Sequence, residues 1–479
     1  MLKFATADKP LVLILDSLDQ LSKEHNAYKL NWLPRKLPPH VHFLVSTYTE
    51  ALDLIGTLRL VIKGGTFIDV PTFTQELSSQ VVKSWLEMNK RTLTLEQFEL
   101  VEKVFKKCSL PLFVKLTYDQ VSLWRSYRSI DRCQLTNTIQ QCIESLFTQL
   151  EHKHGTILVT RALSYVTASG SGISETELED LLSLDDTVLT DVYQRHIPPF
   201  RRIPPLLWVR IRHDISQYLV DKEVDEVRSF FWYHRQFYEA AASRYLSDRA
   251  FKKEINSLMA DYYLGIWYGV KKPFKYTPEQ MKRLGISSPD GEADRRISEQ
   301  PLIFTPDNAM TNVPVRYNKR KLNKLPRHLF QAYRHETLRS TCLYNLKWIV
   351  AKIKGVSLTD LIADYKKLGE QDGVLHKTLK AAKSTLKKYP ETVAMEICGR
   401  LLSLLQARAD KHEKVLLEET VEACAKECKL IPYLPCYNIP SESELYTIEH
   451  PSIYFDPKIS EISSDSTHFA ILSEKGTKV

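Results

Sequence analysis

"LVLILDSLDQL", residues 11–21, decides how the N-terminal part folds. The aliphatic run Leu11–Leu15 leads without alternation into Asp16, and Asp19 follows three residues later. The run is too short for a helix and lacks the period of a half-wet strand. It therefore predicts a central parallel strand buried on both faces. "DQLSKEHNAYKLNWLP", 19–34, reads as a short helical or irregular connection. "VHFLVSTY", 41–48, reads as a second strand, which makes one βαβ-like unit. An open parallel sheet needs more strands than these two, so further strands are expected upstream of Met1 or are absent.

Outward from this stretch the texture changes. From about residue 70 to 430 the apolar spacing is helical. Thr94 and Gln97 form a capping-box pattern, and Leu95, Phe98, Val101 and Phe105 mark one helical face. Pro111 breaks the pattern, and "LFVKLTYDQVSLW", 112–124, starts another helix. Residues 138–155 are amphipathic and end at Gly155, a C-cap residue type. "TILVTRALSYVTAS", 156–169, precedes a second capping box at Ser174 and Glu177. "DTVLTDVYQR", 186–195, reads as a third helix. "LLWVRIRHDISQYLV" then leads to the polar turn "DKEVDE", 221–226, and to "VRSFFWYH". Three short helices before a β-hairpin are the layout of a winged helix. The third segment holds three Asp and one Arg in residues 185–195, which argues against major-groove binding. Thr277–Pro278 starts one later helix and Ser357 caps another. After Leu430 comes a linker-like stretch, and "SIYFDPKISEISSDSTHFAILSEKGTKV", 452–479, reads as β.

Bulk properties bound the remaining classes. A length of 479 residues suggests two to four domains, and 43% hydrophobic with 26% charged residues is ordinary globular composition. Only 15 glycines argue against a turn-rich all-β fold. The net charge of +8 is mild, and the densest basic stretch, "NKRKLNKLPRH" at 318–328, has helical Leu spacing. Neither nucleic acid nor an anionic membrane is called for. Eight cysteines show no C-x2-C pair. Cys424 and Cys428 stand four apart near His412, but no His pair completes a zinc set, so free thiols are expected. No apolar run approaches the ~18 residues of a membrane span, and no signal-peptide core is present. A cytoplasmic protein is expected.

A carboxylate ending a parallel strand sits at the sheet edge where α/β ligands bind. In nucleotide hydrolases of this architecture such an Asp holds Mg²⁺, and a nearby acid positions the attacking water. Asp16 fits the metal role and Asp19 the catalytic one. An Asp that ends a strand and caps the next segment is the competing structural reading. The phosphate loop decides between them. No G-x-x-x-x-G-K-[ST] occurs, and Gly64–Gly65 lacks the Lys-Ser/Thr. Without that nest of backbone N–H groups a triphosphate loses its main anchor. His234 stands at the strand-to-helix junction of the winged helix. A lone His among aromatics is usually packed or superficial, yet an imidazole at a helix N-terminus can face an anion. The aromatic clusters at 230–233 and 262–268 read as core. No Ser–His–Asp, HExxH or GxSxG signature is present.

These residues together resemble NACHT-type STAND NTPases. "LVLILDSLDQL" resembles their Walker B motif and "VHFLVST" the strand that follows. "CSLPLFVKL" resembles the Pro-Leu motif that packs on adenine, and "FFWYHRQFYEAA" the winged-helix segment whose His approaches the β-phosphate. "NWLPRKLPPHVHFLVST", "HRQFYEAAASRYL" and "YNKRKLNKLPRHL" resemble the NACHT and WD repeat proteins in particular. The resemblance implies a mainly α chain with an α/β N-terminal part. Residues 1–68 would be the C-terminal part of the NACHT nucleotide-binding domain, 69–136 a helical domain and 137–250 the winged helix. Residues 251–430 would be a further helical domain, and 431–479 a linker and the start of a WD-repeat propeller. It implies nucleotide contacts at Pro111 and His234 and a Mg²⁺ contact at Asp16. ATP or ADP with Mg²⁺ would be the cofactors of the full-length family.

The chain departs from that pattern at Ser17, Gln20 and Tyr48, where the family often has Gly, an acid and Arg. The P-loop half is missing, and the β tail matches only the opening of a propeller, so a short isoform or fragment cut at both ends is expected. The implied function is a signalling or scaffold protein that acts through protein partners and, in the full-length form, self-oligomers. Stable nucleotide binding and hydrolysis by this chain are not expected. The alternative is an ATP-dependent switch completed by a P-loop from another chain or a longer isoform. A nucleic-acid-binding winged helix is disfavoured by the acidic third segment.

Overall fold

A computed structural model describes residues 5–478 apart from 22–23, 35, 49–53, 63–65, 128, 195–197, 199, 306–313, 371–372, 409, 428–459, 463–468 and 474–475. Gly64–Gly65, Cys428, Cys436 and the linker after Leu430 lie outside the described residues. Packing divides the chain into two units, Met1–Val81 with Ser109–Pro111, and Val82–Cys108 with Leu112–Val479.

In the first unit β1 (Leu11–Leu15) and β2 (Val41–Val45) pair in parallel, from Leu11 opposite Val41 to Leu15 opposite Val45. Two short 3₁₀ turns, Leu18–Gln20 and Glu24–Lys29, and helix α1 (Leu54–Val61) cover one face. Leu18, Leu30, Leu33, Leu54 and Leu58 form the core there, with Leu15, Phe43 and Val45 against it. The expectation of a strand buried on both faces is corrected. Val12, Ile14 and Leu44 are 57%, 67% and 59% exposed. Side chains alternate across a strand, and among the described residues nothing covers that second face.

The second unit is mainly helical, in keeping with the periodicity. α2 (Gln75–Met88), whose first turns belong to the first unit, is followed by α3 (Leu95–Phe105), whose capping box is complete: Thr94 and Gln97 exchange both bonds. Its buried side is Gln97, Val101, Val104 and Phe105. Leu95, predicted on that face, is 86% exposed. The buried positions step by three and four from Gln97 rather than from Leu95, which occupies the first helical position. α4 (Pro111–Val121) begins at Pro111.

The winged helix is built from α5 (Ile139–His154), α6 (Thr156–Ser169), α7 (Glu175–Leu184), α8 (Asp186–Val192) and α9 (Pro205–Ile215), then β3 (Leu219–Val224), β4 (Val227–Trp232) and α10 (Arg235–Tyr245). α6 is its central helix, buried from Arg161 through Ser169. β3 and β4 join through Asp225 and Glu226, with φ of 55° and 65°. Two positive φ values in a two-residue loop give the twist an antiparallel hairpin needs. Ile173 bridges to Phe230 and extends the wing by one pair. The acidic segment is not the helix that enters the wing: α9 lies between them. α9 carries Arg210, Arg212 and His213, with Arg212 held by Glu175 and, at 3.0 Å, by Asp221. Two of the three acids of the 185–195 segment have structural partners. Asp185 caps α8, and Asp186 pairs with Lys272 and Arg295. The helix that precedes the wing therefore carries more basic than acidic side chains, unlike the 185–195 segment.

Beyond it come α11 (Arg249–Leu264), β5 (Lys272–Lys275), α12 (Pro278–Leu284), β6 (Asp290–Ala293), β7 (Ile303–Thr305) and β8 (Arg316–Tyr317). The hairpins β5–β6 and β7–β8 are antiparallel. α13 (Lys319–Gln331) starts at Asn318, whose side chain accepts from the Lys321 amide. α14 (His335–Leu338), a π turn (Arg339–Leu343), α15 (Leu346–Gly355), α16 (Leu358–Lys367), α17 (Val374–Ala381), α18 (Lys383–Lys388), α19 (Val393–Arg408) and α20 (Lys411–Glu427) complete the helices. β9 (Ser460–Ile462), β10 (Phe469–Ser473) and β11 (Gly476–Lys478) form an antiparallel sheet in the order β11–β10–β9. Among the described residues no helix is long and apolar enough to cross a membrane, and no three or more His, Cys, Asp and Glu side chains come together as a metal-ligand set.

Candidate functional site

Asp16 and Asp19 lie together on the loop that leaves the carboxyl end of β1, as the strand reading predicts. The chain turns there through Ser17 at φ 57°. The loop is tied to the end of β2. Ser46 Oγ accepts from the Ser17 amide at 2.8 Å and donates to Asp16 Oδ1. The Leu18 amide donates to the Ser46 carbonyl at 3.0 Å. Asp19 Oδ1 accepts from the Tyr48 amide at 3.2 Å. Both acids thus hold two strand ends in register, and each keeps its second oxygen without a partner among the described residues. Two carboxylates and a hydroxyl are hard oxygen donors of the kind Mg²⁺ takes. A phosphate cradle is not among the residues of this sequence, so the donor set fits the ion better than the nucleotide. Ser46 was not singled out in the sequence. A Ser following a β-rich run carries no signal until the pairing register places it opposite Asp16.

His234 stands in the second unit as the N-cap of α10. Its Nδ1 accepts from the Gln236 amide at 3.2 Å. An accepting Nδ1 fixes the neutral tautomer with the proton on Nε2, so the outer edge of the ring is a donor. Burial lowers the imidazole pKa, partly opposed by Glu239. The accepting Nδ1 and the burial favour a neutral ring that can donate one bond to an anion. Pro111 is the exposed first residue of α4, where the absent N–H leaves no helical bond unmade.

A third group escaped the sequence reading. In the basic stretch 318–328, Arg320, Lys324 and His328 recur every four residues and are 4%, 1% and 0% exposed. They form a buried polar stripe along α13. Arg320 makes a two-pronged pair with Glu177 of the α7 capping box, its Nε donating at 2.9 Å. Glu177 also accepts from Tyr263 at 2.9 Å and from the Ser174 amide at 2.8 Å. Lys324 donates to the carbonyls of Ser169 at 2.6 Å and Gly172 at 3.0 Å. His328 Nδ1 contacts Asn256 at 2.9 Å. A basic run usually signals a solvated face. The i,i+4 recurrence among interleaved leucines was the available sign that this one faces inward.

Comparison with known proteins accords with this architecture. Residues 128–253 match the family described as NWD1-like, winged helix-turn-helix domain. Human NACHT and WD repeat domain-containing protein 2 is 30% identical over 453 residues, 90% of this chain and 26% of that protein. Human NACHT domain- and WD repeat-containing protein 1 is 33% identical over 359 residues, 74% of this chain and 22% of that protein. Mouse telomerase protein component 1 is 25% identical over 191 residues, 38% of this chain and 7% of that protein. The chain spans about a quarter of the length of the first two relatives. It is a homologue of the NACHT and WD repeat domain-containing proteins over most of its own length, with their NWD1-like winged helix-turn-helix domain at residues 128–253.

Proposed function

We propose that this chain acts as a STAND-type signalling or scaffold component through protein–protein contacts, and that on its own it binds nucleotide weakly or not at all. In this reading residues 1–68 are the end of a NACHT nucleotide-binding domain, 69–136 and 251–430 are helical domains, 137–250 the winged helix, and 431–479 a linker leading to a propeller blade. The observation that carries it is the Asp16–Ser46 and Asp19–Tyr48 pairing: both acids hold strand ends, in a sequence with no phosphate-loop motif. Equilibrium binding of labelled ATP with Mg²⁺ tests it. No saturable binding is expected. Micromolar affinity that disappears in Asp16→Ala refutes it.

A second reading is favoured by the Nε2–H of the exposed His234 and the open second oxygens of Asp16 and Asp19. The chain would then be one half of an ATP-dependent switch, with the phosphate loop supplied by another chain or a longer form. Mixing it with a Walker-A-bearing partner tests this. Hydrolysis appearing only in the mixture, and lost in Asp19→Asn, supports it, and inactive mixtures oppose it.

A further inference from the structure

One groove of the second unit is lined by none of the residues discussed so far as nucleotide contacts. It measures about 1360 Å³ and runs between α8, the start of α6 and the β5–β6 hairpin with the first turn of α12. Its apolar lining is the buried Phe274 with the exposed Ile157, Pro273 and Pro278 beside it. Its rim is acidic. Among the described residues Asp191, Glu279, Asp290 and Glu292 line it against one cation, Lys275. None of those four carboxylates makes an ion pair among the described residues, whereas Asp186 beside them is neutralised by Lys272 and Arg295. This local excess of negative charge stands in a chain of net charge +8, so it is not a background effect.

The groove is a built structure rather than a gap. Phe274 faces Gly291 across the hairpin, and a Cβ on Gly291 would come within 2.8 Å of the Phe274 ring and 2.7 Å of Tyr276. Only glycine lets both rings stand there. The buried Arg201 guanidinium lies 3.7 Å from the Phe274 centroid and braces it. The Thr277–Gln280 capping box fixes α12, and Gln280 donates to the Tyr193 carbonyl at 2.6 Å. Such bracing lowers the ordering cost of binding.

We propose that this groove binds an extended basic segment of a protein partner, with an apolar side chain seated against Ile157 and Phe274 and Lys or Arg side chains against the rim carboxylates. Size and charge choose the occupant. The volume exceeds the roughly 300–1,000 Å³ of a small-molecule site, and the apolar lining does not suit a metal or a free polycation. Strand-like peptides present alternate side chains to opposite faces, which matches a lining of one character and a rim of the other. The proposal stands or falls independently of the nucleotide reading, because it uses none of the same residues.

Fluorescence anisotropy of the 479-residue chain with a short labelled peptide of alternating Arg and Leu tests it. A Glu279→Gln, Asp290→Asn, Glu292→Gln triple variant should weaken binding about tenfold or more at ~0.15 M ionic strength. A control triple of exposed acids elsewhere, Glu87→Gln, Glu99→Gln, Glu418→Gln, should change it by less than about twofold. Ile157→Ser, which keeps the charges, should also weaken it. Far-UV circular dichroism confirms that each variant is folded. The proposal is overturned by absence of binding, by equal loss in both triples, by equal affinity for the Glu and Leu counterpart peptide, or by displacement with spermine at the same concentration as unlabelled peptide.

Discussion

Glu177→Gln removes one negative charge from the buried stripe and almost no volume. In the parent the carboxylate accepts from Ser174, Tyr263 and twice from Arg320. The amide oxygen of Gln can still serve the Ser174 N–H, so the cap survives. Arg320 does not recover its partner. It is 4% exposed, and its other acid, Asp225, stands at 4.0 Å. Removing one partner of a buried pair costs about 3–5 kcal/mol. The retained acceptor places this variant near the lower end, about 3 kcal/mol. At ~1.36 kcal/mol per decade this is roughly a 150-fold rise in opening of the segment. Hydrogen exchange resolved to α7 and α13 measures it, with α3 amides as the internal reference. A change below about tenfold, or an equal change in α3, refutes the claim that the pair holds these elements together. The pH dependence gives a second readout. Burial raises the Glu177 carboxyl, but the bonds and charge of Arg320 outweigh it and hold the group below its ordinary 4.5. A lowered carboxyl contributes stability that is complete above that value and lost as pH falls through the folded one. The parent should therefore lose α7 and α13 protection below pH 4.5 more steeply than the Gln variant.

Lys324 is pulled down to about 7 by burial and by the charge of Arg320, from an ordinary 10.5. Above pH 7 the unfolded chain holds a proton that the folded one releases, so this group makes stability rise with pH between 7 and 10.5. Lys324→Met should flatten that part of the Tm profile, and an unchanged slope would contradict the assignment. Gly172 has φ 90°, and a Cβ there would lie 3.1 Å from Phe231 and 3.2 Å from the Phe230 carbonyl. Gly172→Ala should cost about 1–3 kcal/mol in chemical denaturation, whereas Gly269→Ala, with open space around it, should cost about 1–2. Leu18→Ala empties a core site in the first unit and should destabilise that unit by about 2–5 kcal/mol, seen as earlier proteolysis within residues 1–81 while the winged helix stays protected. His234→Ala should fray the first turn of α10 in hydrogen exchange, and His234→Asn, which restores a capping acceptor, should not.

Much of this architecture was readable from local chemistry. The capping boxes at Thr94 and Ser174 and the helix stop at Gly155 are written in residue types whose backbone preferences leave few choices, whereas the polar turn read over 221–226 contracts to Asp225 and Glu226, because Asp221–Val224 belong to β3. Asp16 and Asp19 were readable because a strand end confines them to one edge. What was not readable depends on partners distant in sequence. Ser46 acquires meaning through register. The helix entering the wing was misassigned because "DTVLTDVYQR" and "LLWVRIRH" are both helical, and spacing alone does not say which meets the hairpin. The burial of the α13 stripe is not legible in 318–328, because a cationic run gives no sign of the Glu177 that pairs with Arg320 143 residues away. Leu95 was assigned inward because a helical wheel does not know where its neighbour ends.

The bare side of the β1–β2 pair has a practical consequence. Val12, Ile14 and Leu44 make a flat aliphatic surface on strands that each keep one unpaired edge among the described residues. "LVLIL" has no charge, no proline and high β propensity, the composition that stacks copies into cross-β assemblies. In a purified preparation this short window, rather than the large helical unit, should set the concentration at which the protein stays dispersed. Placing Lys at position 12 or 14 on that face should raise that ceiling without touching the inward residues Leu13 and Leu15.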